Sequence, residues 1–191
     1  MSTRADFEEA FRRLGQYLQA VGVDDLRLVI VGGTAPNLLG LVSRTTTDAD
    51  VIAIEQDGEL LAPNRLPAAL LDGVAIVAAS LRLPTDWLNT GPSLQMRFWL
   101  PPGFRERLTW LEFETLRVGL ASRYDLVALK LFAAADHWPA RGVHYSDLVA
   151  LSPKLEEMNS AAGWAKTQDA SPEFPRLIDA VVAGVREDVG N

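Results

Sequence analysis

The chain has 191 residues, 48% of them hydrophobic, with a formal net charge of −7. That is enough for one domain, or one core with a helical extension, and too acidic for broad, non-specific nucleic-acid binding. It has no cysteine, which excludes disulfides, thiolate metal sites and cysteine nucleophiles and is compatible with the cytoplasm. No apolar run reaches the roughly 18 residues of a membrane span, so no membrane partner is expected. The charged opening, Met1 to Glu9, lacks the apolar stretch of a signal peptide.

In chain order, Phe7, Phe11, Leu14 and Leu18 recur at helical spacing and predict an amphipathic helix over residues 5–20. Residues 22–25 read as a turn. Leu26 to Val31 is a continuous apolar run, as expected of a strand buried on both faces. Thr34 as N-cap and Pro36 in the first turn predict a short helix over 34–41. A second strand is expected over 48–54, ended by Gln56-Asp57-Gly58. Leu70, Leu71, Val74, Val77, Ala78 and Leu81 space a helix over 66–82. Residues 84–104 are rich in Pro and Gly and read as loop with a short strand near 94–98. β-Structure follows at 107–113 and 115–119. The remainder is helical, at 123–136, 144–151, 154–166 and 174–187, broken at Ser152-Pro153 and Ser171-Pro172.

Chemistry concentrates between the first two strands. Val29-Ile-Val-Gly-Gly-Thr-Ala35 reads as strand, glycine turn and helix start, and Arg44-Thr-Thr-Thr-Asp-Ala-Asp-Val51 leads into the second strand. Side chains alternate along a strand, so Asp48 and Asp50 project from one side. Two adjacent carboxylates repel unless a cation sits between them, and Mg²⁺ suits a few carboxylate oxygens, several waters and the phosphates of a nucleotide. The free amides of the Gly32-Gly33 turn suit phosphate oxygens. Plainer readings stand beside these. The glycines serve any strand-to-helix turn, the aspartates end an edge strand, Thr45 to Thr47 is a β-prone lead-in, and Arg44 is a surface charge. His137 and His144, the two histidines, lack partners at zinc-ligand spacing. A basic patch of Arg12, Arg13, Arg97, Arg105 and Arg107 would dock a single RNA. There is no Gly-x-x-x-x-Gly-Lys loop and no Gly-x-Ser-x-Gly elbow.

An apolar strand with Gly32-Gly33, then Asp48-Ala49-Asp50, resembles the nucleotidyltransferase superfamily, the fold shared by DNA polymerase β-like enzymes. Arg44-x-Thr46-x-Asp48-x-Asp50, Asp125-x-x-x-x-Lys130 and Asp147-Leu148 resemble more closely the bacterial abortive-infection and toxin-type nucleotidyltransferases. The resemblance spans residues 26–151. It implies an α/β (α+β) fold, a small mixed sheet flanked by helices over residues 1–121, with a helical part, 122–191, packed on it as a single compact unit. It implies transfer of a nucleoside monophosphate from an NTP to an acceptor hydroxyl, on an RNA 3′ end or a protein, in the setting of a toxin with a cognate antitoxin. By the same resemblance Asp48 and Asp50 hold Mg²⁺ and are catalytic, Gly32, Gly33, Thr34, Arg44 and Thr46 bind the nucleotide, and Lys130 neutralises phosphate charge. Asp147 sits near the metal or orients the acceptor. For Lys130 the plainer reading is a snorkelling side chain, and for Asp147 a charge complementing a helix dipole. Glu112 and Glu114 are the candidates for a third metal-binding carboxylate. Two rival functions follow: a non-catalytic nucleotide-binding or antitoxin-like module, and a small-molecule, aminoglycoside-type nucleotidyltransferase.

Overall fold

The computed structural model describes residues 3–43, 45–91 and 100–190; Arg44, Arg97, Trp99 and the strand expected near 94–98 lie outside them. The chain forms two compact units, residues 1–99 with 105–121, and residues 100–104 with 122–191. It is a mixed α/β protein with one open sheet.

In the first unit, helix α1 (Arg4–Ala20) starts with a capping box, the Thr3 hydroxyl accepting from the Asp6 amide and the Asp6 carboxylate accepting from the Thr3 amide. Its apolar stripe is buried as its spacing predicts, Phe7, Phe11, Leu14 and Leu18 being at most 1% exposed. Each such side chain contributes about 1.5–3 kcal/mol by leaving water. Strand β1 (Leu26–Val31) leads to helix α2 (Thr34–Leu38), then β2 (Ala49–Gln56), β3 (Glu59–Leu61), α3 (Ala68–Leu81) and β4 (Leu88–Asn89). A 3₁₀ turn, Arg105–Arg107, precedes the hairpin of β5 (Thr109–Phe113) and β6 (Leu116–Leu120). The strand order is β3-β2-β1-β6-β5, with β4 paired to β2 near its start. β1 is antiparallel to β2 and parallel to β6.

One face of this sheet packs on α1. Gly15 lies so close to Phe113 that a Cβ there would be 2.0 Å from the Phe113 carbonyl oxygen, and the Phe11 and Phe113 rings are 5.7 Å apart. Trp87 closes the same core, fully buried, with its ring 5.5 Å from Phe11 and its indole N–H donated to the Val74 carbonyl of α3 at 3.1 Å. Several details differ from expectation. Helix α2 stops at Leu38, β2 runs from Ala49 to Gln56, and the short strands β3 and β4 add to the expected elements. Asp57, with φ 51°, and Gly58, with φ 83°, fold β2 back on β3 as a tight hairpin.

The second unit holds helices α4 (Arg123–Asp136), α5 (Val143–Leu151), α6 (Leu155–Ala165) and α7 (Phe174–Val189). Helix α4 packs against each of the other three. Its N-cap is Ser122, whose hydroxyl accepts from the Asp125 amide at 3.2 Å. The Arg123 guanidinium donates to Glu157 at 2.7 Å and to the terminal carbonyls of α5, Leu151 at 2.9 Å and Ser152 at 3.2 Å, satisfying acceptors that a helix end leaves open. Among the described residues no helix is long and apolar enough to cross a membrane.

Candidate active site

Because β1 and β2 are antiparallel, the end of β1 lies beside the start of β2, and Val31 pairs with Asp50. The chain leaves β1 through Gly32, with φ 72°, and Gly33, with φ −83° and ψ −24°. A left-handed residue followed by a right-handed one turns successive amides toward one side, a shape that accepts anions. Gly32 is demanded twice. Its φ favours glycine, and a Cβ there would be 2.0 Å from Asp50 Oδ2. The Asp50 carboxylate therefore lies against the α-carbon of the turn.

Asp48 and Asp50 are half-buried, and Ala49 between them is fully buried. Thr47 donates its hydroxyl to Asp48 Oδ1 at 3.3 Å. Further along, β2 carries one extra residue. Ile30 pairs with Val51 and Val29 with Ala53, leaving Ile52 between them as a β-bulge, a device common beside active sites.

The peptide joining Asp48 to Ala49 is held from both sides. The Thr34 hydroxyl donates to the Asp48 carbonyl at 2.5 Å, and the Ala49 amide donates to the Trp87 carbonyl at 2.6 Å. Thr34 is fully buried. Its expected role as N-cap is corrected, since Gly33 holds the cap position and Thr34 is the first helical residue. The glycine turn brings the chain into helical geometry one residue early, so the hydroxyl meets the neighbouring strand instead of the helix amides. Sequence reasoning missed both contacts, because neither Thr34 nor Trp87 stands at a motif spacing from Asp48. Thr46 is buried, at 8% exposure. A cavity of about 590 Å³ is lined by Thr3, Arg4, Asn37, Val42, Ser43 and Thr45 among others.

In the second unit the structure brings Lys130 of α4 and Asp147 of α5 together. Their Nζ and Oδ2 atoms are 2.5 Å apart, with side chains 9% and 5% exposed. Asp147 stands in the middle of α5, away from the first turn where it would complement a helix dipole. His144, one turn earlier, has a buried Nδ1 with no hydrogen-bond partner among the described residues. Burial holds its imidazole below the usual histidine range; the nearby Lys130 and His137 act the same way and Asp147 opposes.

The third-carboxylate expectation is corrected. Glu112 lies on β5, across β6 and β1 from β2, at the level of Arg117, Arg27 and Glu55, toward the opposite end of the strands from Asp50. It forms part of a charged row in which Arg27 bonds Glu55 at 2.8 Å and Arg117 approaches Glu112 at 3.9 Å. Glu114 occupies the β5–β6 turn with φ 53°. Among the described residues no group of three or more His, Asp or Glu side chains is placed to hold a metal ion. Two carboxylates such as Asp48 and Asp50 would suit a hard divalent cation that draws its other oxygens from water and phosphate. Of the basic patch, Arg12 and Arg13 are both paired with Glu9, and Arg105 lies over Gly58.

An open mixed sheet with a glycine turn set against paired aspartates is the architecture of a nucleotidyltransferase core. The chain belongs to the family described as nucleotidyltransferase of unknown function (DUF6036), whose model matches residues 9–138. The match includes Gly32, Gly33, Asp48, Asp50 and Lys130 and ends before Asp147. No curated protein and no solved structure matches the chain.

Proposed function

We propose that this protein transfers a nucleoside monophosphate from an NTP to an acceptor hydroxyl in the presence of Mg²⁺. The observation that carries the reading is the packing of the carboxylate of Asp50, two residues after Asp48, against the Gly32 α-carbon. It supports a carboxylate pair working beside the amides of the glycine turn. Asp48 and Asp50 would hold the metal, which when bound neutralises phosphate charge and polarises the reacting phosphorus. The amides of Gly32, Gly33 and Thr34 hold the phosphate chain in line with the acceptor, the larger share of what such a reaction asks of a protein. The acceptor hydroxyl gives up its proton to solvent as its oxygen bonds to the α-phosphorus, the bond from that phosphorus to the β-phosphate bridge breaks, and pyrophosphate leaves with the electron pair. Resemblance adds Lys130 as a phosphate-neutralising cation, Asp147 as a residue that orients the acceptor, and Arg44 and Thr46 as nucleotide contacts.

The resemblance to toxin-type enzymes supports an RNA 3′ end or a protein as acceptor, with an antitoxin as partner. The net charge of −7 favours a protein, or an RNA gripped at one small patch. The test is incubation with Mg²⁺, a cell extract and each of the four α-labelled NTPs in turn. Label should enter one macromolecule as pyrophosphate is released, and an Asp48→Ala/Asp50→Ala variant should do neither. Label on an aminoglycoside with none on RNA or protein would move the chain to the small-molecule class.

One observation favours a second reading, a module that binds nucleotide without chemistry: no third carboxylate joins Asp48 and Asp50 among the described residues. It predicts saturable NTP binding and no pyrophosphate release with any extract.

A further inference from the structure

We infer that the Thr34 side chain is a positioning residue for the aspartate pair, acting through the Asp48–Ala49 peptide and not on the nucleotide. The inference rests on the nucleotidyltransferase reading above. A peptide unit is rigid and planar, so its orientation is settled by where its carbonyl and amide point. Here both ends are committed, the carbonyl to the Thr34 hydroxyl at 2.5 Å and the amide to the Trp87 carbonyl at 2.6 Å. Trp87 is itself immobilised, fully buried and bonded through its indole to Val74. Thr34 is 0% exposed, and as a β-branched residue it has few side-chain rotamers in a helix.

The pinned unit is one of the two that separate the α-carbons of Asp48 and Asp50. On the proposed reading Asp48 and Asp50 share a cation, and carboxylates so used repel and splay when none lies between them. A peptide fixed from α2 and from the Trp87 carbonyl, just before β4, resists that splaying and holds the stretch between the two aspartates in place before any ligand arrives. The Thr34 hydroxyl hydrogen is spent on Asp48, so the side chain has no proton to donate to a phosphate. Its contribution to the nucleotide is limited to its backbone amide.

The test compares wild type with Thr34→Val, which keeps the shape and removes the hydroxyl, and Thr34→Ser, which keeps the hydroxyl. Each is checked for folding by circular dichroism. Mn²⁺ affinity is measured by electron paramagnetic resonance with each NTP present, and kcat and KM for NTP are measured with Mg²⁺. Loss of a group that orients a metal ligand weakens metal binding or activity by roughly 10–100-fold. Thr34→Val should therefore bind Mn²⁺ in that range more weakly and lose kcat in proportion, with KM for NTP little changed, and Thr34→Ser should restore both. A Thr34→Val protein equal to wild type in Mn²⁺ affinity and kcat overturns the inference. So does a raised KM at unchanged kcat, which marks a direct nucleotide contact. Should Thr34→Val fail to fold, Thr34→Ala replaces it; failure of both while Thr34→Ser folds assigns the hydroxyl to stability alone and also overturns the inference. A wild type that neither binds Mn²⁺ with NTP nor releases pyrophosphate is a separate outcome that removes the enzymatic reading itself.

Discussion

Tolerances are narrow at single residues around the glycine turn after β1. At Gly32, an added methyl meets the Asp50 carboxylate at 2.0 Å and inherits a φ of 72°. Gly32→Ala should cost about 1–2 kcal/mol from the left-handed backbone alone, read from the urea midpoint. It should also abolish NTP-dependent Mn²⁺ binding, because Asp50 has to move. Asp48→Asn and Asp50→Asn should behave in the opposite way. Each removes one of two neighbouring negative charges, so the urea midpoint should hold or rise while nucleotide transfer falls by roughly 10²–10³-fold or more. A fall in both would make the carboxylates structural. These residues were legible in the sequence because Gly-Gly after an apolar strand and Asp-x-Asp on the next strand are local patterns. The Thr34 and Trp87 contacts were not legible. They join residues 14 and 38 positions from the peptide they hold, and no local period encodes such a meeting.

At the scale of elements, the long amphipathic helices and the central strands were readable from period alone. The failures were the short pieces. β4 has two residues and β3 has three, too few to show alternation, and each exists because β2 offers an unpaired edge. The partner of Lys130 was also hidden, since Asp147 lies 17 positions away on another helix. With both side chains buried, this pair yields a prediction about α4 and α5. Lys130→Met or Asp147→Leu alone should destabilise the fold by about 3–5 kcal/mol, leaving an uncompensated buried charge, whereas the double variant should lose much less. Chemical denaturation of the four proteins in a double-mutant cycle measures this. Additive losses would show that the ion pair is not a coupled unit.

For the molecule as a whole, the stability curve against pH carries two signatures from α5. The folded-state pKa of His144 lies below 6.5, mainly through burial. The unfolded chain therefore binds the proton more readily, and stability is full above about pH 6.5 and declines as pH falls below it. His144→Gln should flatten that acid limb in urea titrations. Tyr145 works at the other limb. Burial, with the hydrogen bond to Asp188 second, pushes its phenol up to about 12 from 10.0. Its share of stability is complete below pH 10 and is lost as pH rises from there toward 12. Tyr145→Phe should remove that alkaline dependence; an unchanged slope would mean that the phenol titrates as it does in water. The fold class was readable because pattern and topology agree, and the nucleotidyltransferase superfamily from motifs within residues 26–151, but neither histidine environment was, since burial of a side chain by another helix leaves no trace in spacing.

The extra residue in β2 has an effect on parity. Cross-strand partners share a face, so Glu55 with Arg27 and Asp50 with Val31 stand on the face opposite α1, while Ile54 with Leu28 and Val51 with Ile30 stand on the α1 side. Counting in twos back from Glu55 would put position 50 on the α1 side, and only the insertion at Ile52 reverses that count. Excising Ile52 would thus do more than shorten the strand by one step. It would rotate Asp50 into the phenylalanine-lined interior beneath α1, where an unsolvated anion has no counterpart, and the sheet would have to break its pairing to let it out. A single isoleucine, itself only 1% exposed and carrying no reactive group, decides which side of the sheet this carboxylate faces.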